Sequence, residues 1–387
     1  MESEKITSSS NANEQLLYFT SSSLSRDDSH LVFISDKTGN PNICVRNLAT
    51  GLERQLTRNS EGFLKSYVYF DGTPYHGLGK ASISLHAQSG TVYYIQGNEI
   101  RCVTLEGIDK TLGLIPEEQM TAFTHVSSDG RFLCVPTTDA RALDGSAQLN
   151  GQPEWDIDKR VQDEKLSSYL RVFDTQTGRQ IHCEKVESCW ITHVQFSPSD
   201  STRILYNHEW PSDCGIRRMW LWDGAQHIRL RSEGGRRSRA DWTCHEMWER
   251  DGSAIIYHGA FANGPAYVGR MRWDGSDIRE IPLPNEFTSY GHFTVGSPNV
   301  LVSDGYYEEP ENAKQWGGSW ISRVDLDWDA CRAKWSPLCI HGSSWSSQDA
   351  HPHPIIDQAM RFVYFTSDKG GKRAIHRVAL SGQSHLG

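Results

Sequence analysis

The 387-residue sequence lacks long apolar runs and a net positive charge. No run of about 18 apolar residues occurs, which argues against a membrane-spanning helix. The formal charge of −9 argues against nucleic acid or anionic lipid as the main partner, because both require a basic surface. The opening segment MESEKITSSSNANEQ has neither the basic start nor the apolar core of a signal peptide.

Several motifs that define enzyme classes are also missing. The sequence contains no GxSxG nucleophile elbow, no P-loop and no GxGxxG phosphate-binding loop. Its nine cysteines form no CxxC pair, and some lie in apolar runs such as the one around Cys134, where a thiol behaves as a small hydrophobe. These features predict a reduced, cytoplasmic protein, and they leave its oligomeric state open.

What the sequence does contain is a recurring strand pattern. Helical periodicity is confined to a charged stretch near Trp155 to Tyr169, whereas apolar β-runs joined by polar gaps and Gly or Asp turns occur throughout. Seven such units are recognisable, about 40 to 60 residues apart. They contain HLVFISDKTGNPNICVRNLATG, SGTVYYIQGNEIRCVTLEG, DGRFLCVPTTD, TRILYNHE, DGSAIIYHGA, PNVLVSDGYY and RFVYFTSDKGGKRAIHRVAL.

The repeat predicts an all-β fold, a seven-bladed β-propeller formed by residues 1–387 as a single domain. Small sheets stacked around an axis cover each other's faces, whereas a pair of β-sandwiches would not explain the recurring unit. We expect residues 1–14 to form a flexible tail and residues 140–168 to be an insertion within the third unit. A strand from Gln15 to Thr20 is expected to complete the seventh blade.

The segment SSQDAHPHP, Ser346 to Pro354, is a candidate metal site. In an extended segment, side chains two residues apart share a face, so His351 and His353 would converge there. Together with Gln348 they would offer nitrogen and oxygen ligands suited to Mn²⁺, Fe²⁺ or Zn²⁺. The alternative interpretation is a surface turn with two exposed histidines.

Histidines also recur in the later units. Two His-Glu pairs lie one unit apart, in NHEW and in TCHEMW, and a histidine among aromatic residues is ordinarily structural. Repetition favours a functional interpretation, because the strand ends of a propeller meet at a common axis. The recurring histidines are His193, His208, His245, His292, His351 and His353.

From about residue 190 onwards the sequence resembles the oligogalacturonate lyases, a family of cytoplasmic seven-bladed propellers that break down pectin. The resemblance rests on NHEWPSDCGIRRMWLWDG, on TCHEMWERDGSAIIY, and on HGSSWSSQDAHPHP followed by VYFTSDKGG, in the family's order and spacing. It implies a Mn²⁺ site formed by His292, Gln348, His351 and His353. It also implies that His245 is the Brønsted base and that Arg218 contacts the substrate.

The activity implied by this resemblance is β-elimination on a uronic-acid oligosaccharide, in which a base removes the C5 proton and the C4 substituent leaves. The predicted substrate-binding residues, besides Arg218, are His193, His208, Arg236, Arg237, Arg239, Trp248 and Trp345, with Trp210 as a further candidate for stacking on a sugar. The amino-terminal half resembles the family poorly, and the arginine-rich stretch before His245 departs from it. A lyase acting on another uronate, such as glucuronate, is therefore the alternative, and a non-catalytic binding propeller is the second.

Overall fold

The computed structural model of the chain describes residues 2–60, 83–143, 148–149, 152–153, 157–209, 218–231, 242–261, 264–283, 291–305, 320–346 and 348–381. Within these ranges, seven antiparallel sheets and one two-stranded hairpin account for all the strands. Each sheet is one blade, so the predicted all-β, seven-bladed β-propeller is confirmed. No helix among the described residues is long and apolar enough to cross a membrane.

The chain begins with strand β1 (Glu4–Lys5), which belongs to the last blade. Blade one consists of β2 (Glu14–Leu16), β3 (His30–Ser35), β4 (Asn42–Asn47) and β5 (Glu53–Gln55). Blade two consists of β6 (Ser84–His86), β7 (Thr91–Gln96), β8 (Glu99–Val103) and β9 (Asp109–Leu114).

Blade three has a long connection between its two central strands, and an insertion was predicted at residues 140–168. Its first three strands are β10 (Gln119–Thr121), β11 (His125–Val126) and β12 (Phe132–Asp139). A 3₁₀ turn (Ala140–Leu143), the hairpin β13 (Gln148–Leu149) and β14 (Gln152–Pro153), and helix α1 (Ile157–Asp163) come next. The blade ends with β15 (Ser167–Asp174) and β16 (Gln180–Glu187). Residues 140–168 thus lead from one strand of this blade to its neighbour.

Blades four to seven continue in chain order. Blade four has β17 (Val194–Phe196), β18 (Ile204–Asn207), β19 (Met219–Trp222) and β20 (His227–Arg229). Blade five has β21 (Trp242–Trp248), β22 (Ala254–Ala260), β23 (Ala266–Arg272) and β24 (Arg279–Pro282). Blade six has β25 (Phe293–Ser297), β26 (Val300–Ser303), β27 (Trp320–Asp327) and β28 (Arg332–Ile340). Blade seven has β29 (Ile355–Ile356), β30 (Phe362–Ser367), β31 (Ala374–Ala379) and β1.

The first strand of each blade lies nearest the axis, and in blade three β10 and β11 share this place because both pair with β12. These inner strands contact one another between neighbouring blades, as β11 contacts β6 and β17, and β25 contacts β21 and β29. The strand that pairs with the inner strand is mostly buried on both faces, which is why it reads as a continuous apolar run, as in β18. Apolar side chains fill the space between blades, with Ile34 and Val45 of blade one packing against Val92 and Tyr94 of blade two.

An amino-terminal strand completes blade seven as predicted, but two details predicted for the amino terminus are wrong. Residues 1–14 are not a flexible tail, because β1 pairs with β31 as the fourth strand of blade seven. Ile6 extends this pairing, since its N–H donates to the Ile375 carbonyl at 2.7 Å while its side chain is buried. The segment expected to complete blade seven, Gln15 to Thr20, instead begins in β2, the inner strand of blade one. The isolated apolar residue Ile6 is the feature of the sequence that indicates an ordered, buried segment here.

We therefore expect Ile6→Ala to destabilise the whole protein. Deleting most of a buried isoleucine side chain removes apolar burial and leaves a cavity, at a cost of about 2–4 kcal/mol. Chemical denaturation followed by circular dichroism measures this change. The exposed neighbouring variant Lys5→Ala is the control and should change the unfolding free energy by less than about 0.5 kcal/mol. Equal, small effects for both variants would restore the interpretation of this segment as a tail.

Candidate metal centre and active site

The candidate residues gather at one end of the axis because the inner strands all begin there. His193 immediately precedes β17, His292 immediately precedes β25, and His353 lies two residues before β29. His245 lies inside β21, the inner strand of blade five. Equivalent positions in successive blades are thus brought together, as the recurrence of histidine in the sequence predicts.

Three histidines form a compact cluster between blades six and seven. One ring nitrogen from each of His292, His351 and His353 lies within 4.8 Å of the others. The rings of His292 and His353 are 4.0 Å apart between centroids, and His292 and His353 are buried. The backbone of Gln348 begins a 3₁₀ turn three residues before His351, but its side chain lies outside the described atoms.

The histidine segment is not extended, contrary to the argument from alternating side chains. Gln348–Ala350 form the 3₁₀ turn, and His353 adopts a left-handed conformation with φ of 45°. The Pro352 carbonyl accepts a hydrogen bond from the Thr366 N–H at 2.9 Å, which ties the segment to β30. The 3₁₀ turn and the left-handed backbone of His353, rather than an extended strand, bring the imidazoles of His351 and His353 together.

A buried aspartate anchors His292. The carboxylate of Asp304, which has no exposed surface, lies 3.1 Å from Nδ1 of His292. Burial alone would raise the pKa of Asp304, but the nearby histidines, His292 foremost, outweigh burial and lower it. Because an ionised carboxylate only accepts hydrogen bonds, Nδ1 of His292 carries the proton and Nε2 is the nitrogen that can bind a metal.

His245 is held in an unusual backbone conformation. It lies in a bulge of β21, where two residues, His245 and Glu246, stand opposite Tyr257, and its φ is 50°. A regular strand would direct two consecutive side chains to opposite faces, and the bulge changes those directions. Non-glycine residues with positive φ are concentrated at functional sites. The ring of His245 lies 4.5 Å from that of His292.

The surroundings of His245 suit a base. Burial lowers the pKa of His245 well below its ordinary value, and the neighbouring His292 and His258 lower it further, so the ring is neutral at neutral pH. Its Nδ1 lies 3.2 Å from the Gly291 carbonyl, which can only accept, and 2.9 Å from Nε2 of His258. A proton on Nδ1 satisfies the carbonyl and leaves the lone pair on Nε2.

Arg218 is buried between two glutamates. Its Nε donates to Glu246 at 2.9 Å, its Nη1 donates to Glu209 at 3.1 Å, and its side chain is 2% exposed. Burial would raise the pKa of both carboxyls, but Arg218 and His193 together outweigh it, and the pKa of Glu246 falls to about 2. These glutamates belong to the two His-Glu pairs noted in the sequence. The guanidinium is thus engaged within the protein, and its predicted contact with substrate stays a prediction.

His193 connects Arg218 to a residue from blade one. Its Nδ1 lies 3.3 Å from Nη2 of Arg218, and its Nε2 lies 3.2 Å from the hydroxyl of Tyr18. The Tyr18 ring stacks on Phe123 at 3.7 Å between centroids and lies 4.8 Å from the ring of His353. Tyr18 therefore brings the amino-terminal half of the chain into the site.

Trp345 lies beside the histidine cluster. Its ring is partly exposed, 4.5 Å from the ring of His351 and stacked on His292 at 6.2 Å between centroids. This position is compatible with the predicted contact to a sugar. Trp248, in contrast, is buried between blades four and five, where its Nε1 donates to the Gln195 carbonyl at 3.3 Å. It presents no ring face to the histidine cluster.

His208 lies away from the cluster. It packs against Trp220 of blade four at 5.3 Å between ring centroids and is 8% exposed. Burial, followed by the nearby His227, lowers its pKa to about 4. These contacts are those of a structural histidine. Arg236, Arg237, Arg239 and Trp210 lie outside the described residues.

Sequence reasoning missed several buried polar residues at the centre: Tyr18, Glu209, Glu246, His258 and Asp304. Two of them had a visible signal, since Glu209 and Glu246 follow the recurring histidines directly. Asp304 follows the apolar run of β26, a place where an aspartate also suits an ordinary turn. No feature of the sequence marked Tyr18, because its partners in the site, such as His193, are distant along the chain.

The donor set fits a divalent transition metal. Three imidazole nitrogens in one cluster suit Mn²⁺, Fe²⁺ or Zn²⁺, and the carboxylate behind His292 is the usual outer partner of a metal-binding histidine. Fold and site together define a β-propeller with a cluster of three histidines that could hold a metal ion at one end of its axis, beside a buried neutral histidine.

Comparison with known proteins agrees with this class. The sequence profile described as oligogalacturonate lyase matches residues 156–384. The chain therefore belongs to the oligogalacturonate lyase family, as its resemblance in sequence implied. An oligogalacturonate lyase from Dickeya dadantii (strain 3937) is 26% identical over 216 residues, which cover 52% of this chain and 53% of that protein. The chain thus matches about half the length of this relative.

Two solved structures share the fold. An oligogalacturonate lyase in complex with manganese superposes with a TM-score of 0.76 at 20% identity, covering 97% of this chain and 92% of its own. The oligogalacturonate lyase of Vibrio parahaemolyticus gives a TM-score of 0.76 at 21% identity, with 97% and 93% coverage. At these identities the likeness establishes the propeller fold over the whole chain.

The buried state of His208 predicts a pH effect on stability. Its pKa in the folded protein, about 4, lies below its unfolded value of about 6.5, so the unfolded chain binds the proton more tightly. The stability that the neutral ring provides is present above pH 6.5 and is lost as the pH falls towards 4, by up to about 3 kcal/mol. Denaturation from pH 4 to 7 should show a shallower slope for His208→Phe. The control His182→Phe, at an exposed position, should keep the wild-type slope. A wild-type slope for His208→Phe would contradict the lowered pKa of His208.

Proposed function

We propose that this protein is a metal-dependent lyase that cleaves uronic-acid-containing oligosaccharides by β-elimination, with oligogalacturonides as the first candidate substrates. The observation that carries the proposal is the clustering of His292, His351 and His353 within 4.8 Å, with the neutral His245 packed against His292. Membership of the oligogalacturonate lyase family supports it. A cytoplasmic location, which the sequence predicts, is part of the proposal.

His292, His351 and His353 would hold Mn²⁺, the ion bound in the related lyase structure, with Gln348 as the fourth ligand implied by the family resemblance. When bound, the ion would supply Lewis-acid stabilisation of negative charge on a substrate carboxylate. The protein contributes the orientation of these side chains, which the turn around His353 and the hydrogen bonds of Asp304 fix before any ligand binds.

His245 would remove the C5 proton of the uronate. Its Nε2 takes the proton, the C5–H electrons form a double bond between C4 and C5, and the C4–O bond breaks to release the leaving sugar. Burial keeps the ring neutral, so the base is in its active form at neutral pH. Trp345 is placed to stack on a sugar ring beside the cluster.

The choice of sugar is the main alternative within this proposal. Nothing among the contacts of the described residues distinguishes galacturonate from glucuronate, which differ at C4, the position of the leaving group. The arginine-rich stretch that follows blade four departs from the family pattern and directly precedes β21, which carries His245. A changed sequence directly before the strand that carries the base is where preference for a different uronate would arise.

The first test is a panel of defined galacturonate and glucuronate oligosaccharides, followed by ultraviolet absorbance of the unsaturated product. We expect product from at least one uronate, loss of activity after chelation, and recovery on addition of Mn²⁺. Metal content measured by plasma mass spectrometry should approach one ion per chain after Mn²⁺ loading. No product from any uronate together with no bound metal would indicate a non-catalytic binding propeller instead.

Two variants separate the roles of base and ligand. His245→Ala should retain Mn²⁺ while kcat falls by about 10²- to 10⁴-fold, the usual contribution of a positioned base. His353→Ala should lose bound Mn²⁺, and activity with it. The control is His376→Ala, which removes a buried histidine of blade seven that stacks on Phe365 and should leave both readouts near wild type. Equal loss of metal in the His245 and His353 variants would refute this division of roles.

A further inference from the structure

The peptide bond between Gly291 and His292 is hydrogen-bonded on both sides by groups of the site. Its N–H donates to Oδ1 of Asp304 at 2.6 Å, and its carbonyl oxygen lies 3.2 Å from Nδ1 of His245. The backbone that carries one histidine of the metal cluster is thus also the hydrogen-bond partner of the candidate base.

Asp304 makes two further contacts with the cluster. Its Oδ2 lies 3.1 Å from Nδ1 of His292 and accepts a hydrogen bond from the backbone N–H of His353 at 3.1 Å. One fully buried carboxylate therefore touches two of the three clustered histidines, one at the start of blade six and one before blade seven.

The close approach of Asp304 depends on glycine. A Cβ placed on Gly291 would lie 2.4 Å from Oδ1 of Asp304 and 2.3 Å from the backbone nitrogen of Gly305. Both separations are far below van der Waals contact, and the second neighbour is backbone that cannot rotate away. The space for the carboxylate is therefore provided by the absence of a side chain at position 291.

We propose that Asp304 is a positioning residue that fixes two protons at once. It holds a proton on Nδ1 of His292, which directs Nε2 to the metal. Through the Gly291–His292 peptide, it also favours a proton on Nδ1 of His245, which leaves Nε2 as the base. A carboxylate bonded to a peptide N–H polarises that peptide and strengthens its carbonyl as an acceptor. The inference rests on the function proposed above.

Asp304→Asn tests this directly because it keeps the size of the side chain. An amide has one accepting oxygen, so its NH₂ group must replace either Oδ2, where it faces Nδ1 of His292 and the N–H of His353, or Oδ1, where it faces the backbone N–H of His292. In the Oδ2 position, it favours the proton of His292 on Nε2, where the metal would bind. We expect Mn²⁺ affinity, measured by electron paramagnetic resonance titration, to weaken about 10- to 100-fold, the usual effect of losing an outer partner of a metal ligand.

Turnover at saturating Mn²⁺ separates the two effects. We expect kcat of Asp304→Asn to stay below wild type even when every site is loaded, because a neutral amide polarises the Gly291–His292 peptide less and so weakens the preference of His245 for a proton on Nδ1. Full recovery of kcat would overturn the coupling to His245, and unchanged Mn²⁺ affinity would overturn the role at His292. The control is Asp357→Asn, an equally buried aspartate that accepts backbone hydrogen bonds from Arg361 and Phe362 in blade seven and should leave both readouts unchanged.

A measurement on the wild-type protein keeps the inference testable if the variant does not fold. Long-range ¹H–¹⁵N correlation spectra of histidine-labelled, metal-free protein report which ring nitrogen carries the proton. We expect Nδ1–H for both His292 and His245, and Nε2–H in either ring would overturn the proposal. If the wild-type protein binds no Mn²⁺, the proposed function is contradicted. The spectra of the metal-free protein still test the proton positions independently.

Discussion

The hydrogen bonds that join the two ends of the chain hold the candidate site together. Beyond the pairing of β1 with β31, the side chain of Gln15 donates to Asp349 at 3.0 Å, and the N–H of Leu16 donates to Thr366 at 3.1 Å. Asp349 lies two residues before His351. Closing the ring between blades one and seven therefore also positions the segment that carries two of the three clustered histidines.

Buried charge is the second constraint, and it is met by pairing across blades. An isolated charge at the axis would cost several kcal/mol. Arg218 of blade four is balanced by Glu209 of the same blade and Glu246 of blade five, while Asp304 of blade six bonds the backbone of His353 before blade seven. The contacts of Arg218 with Glu246 and of Asp304 with His353 cross between blades and fix one blade relative to the next at the end of the axis where the candidate catalytic groups lie.

The sequence predicted the fold and the gathering of histidines from successive blades, because both depend on patterns that are visible in a single sequence. Apolar runs at regular intervals indicate blades, and His351 and His353 are two positions apart in the chain. The roles of metal ligand and base were implied by the family resemblance and stay predictions. Trp248 was predicted to bind substrate, but a tryptophan next to a His-Glu pair fits a core position as well as a sugar site, and here it is core. The prediction that His351 and His353 converge on an extended segment is wrong in its geometry. The two prolines do not indicate the left-handed backbone that His353 adopts.

Most of the polar residues in the candidate site come from the carboxy-terminal half of the chain. The clustered histidines, His245, Arg218 and Asp304 all come from blades four to seven, within the residues that match the family profile. Blades one and three supply Tyr18, Phe19 and Phe123, whose rings pack beneath the histidines. The ring of Phe123 is apolar support, which requires volume and packing with neighbours rather than one particular residue. Blade one supplies specific polar contacts as well, from Tyr18 to His193 and from Gln15 to Asp349. The weak family resemblance of the amino-terminal half thus accords with its smaller share of the polar residues in the candidate site.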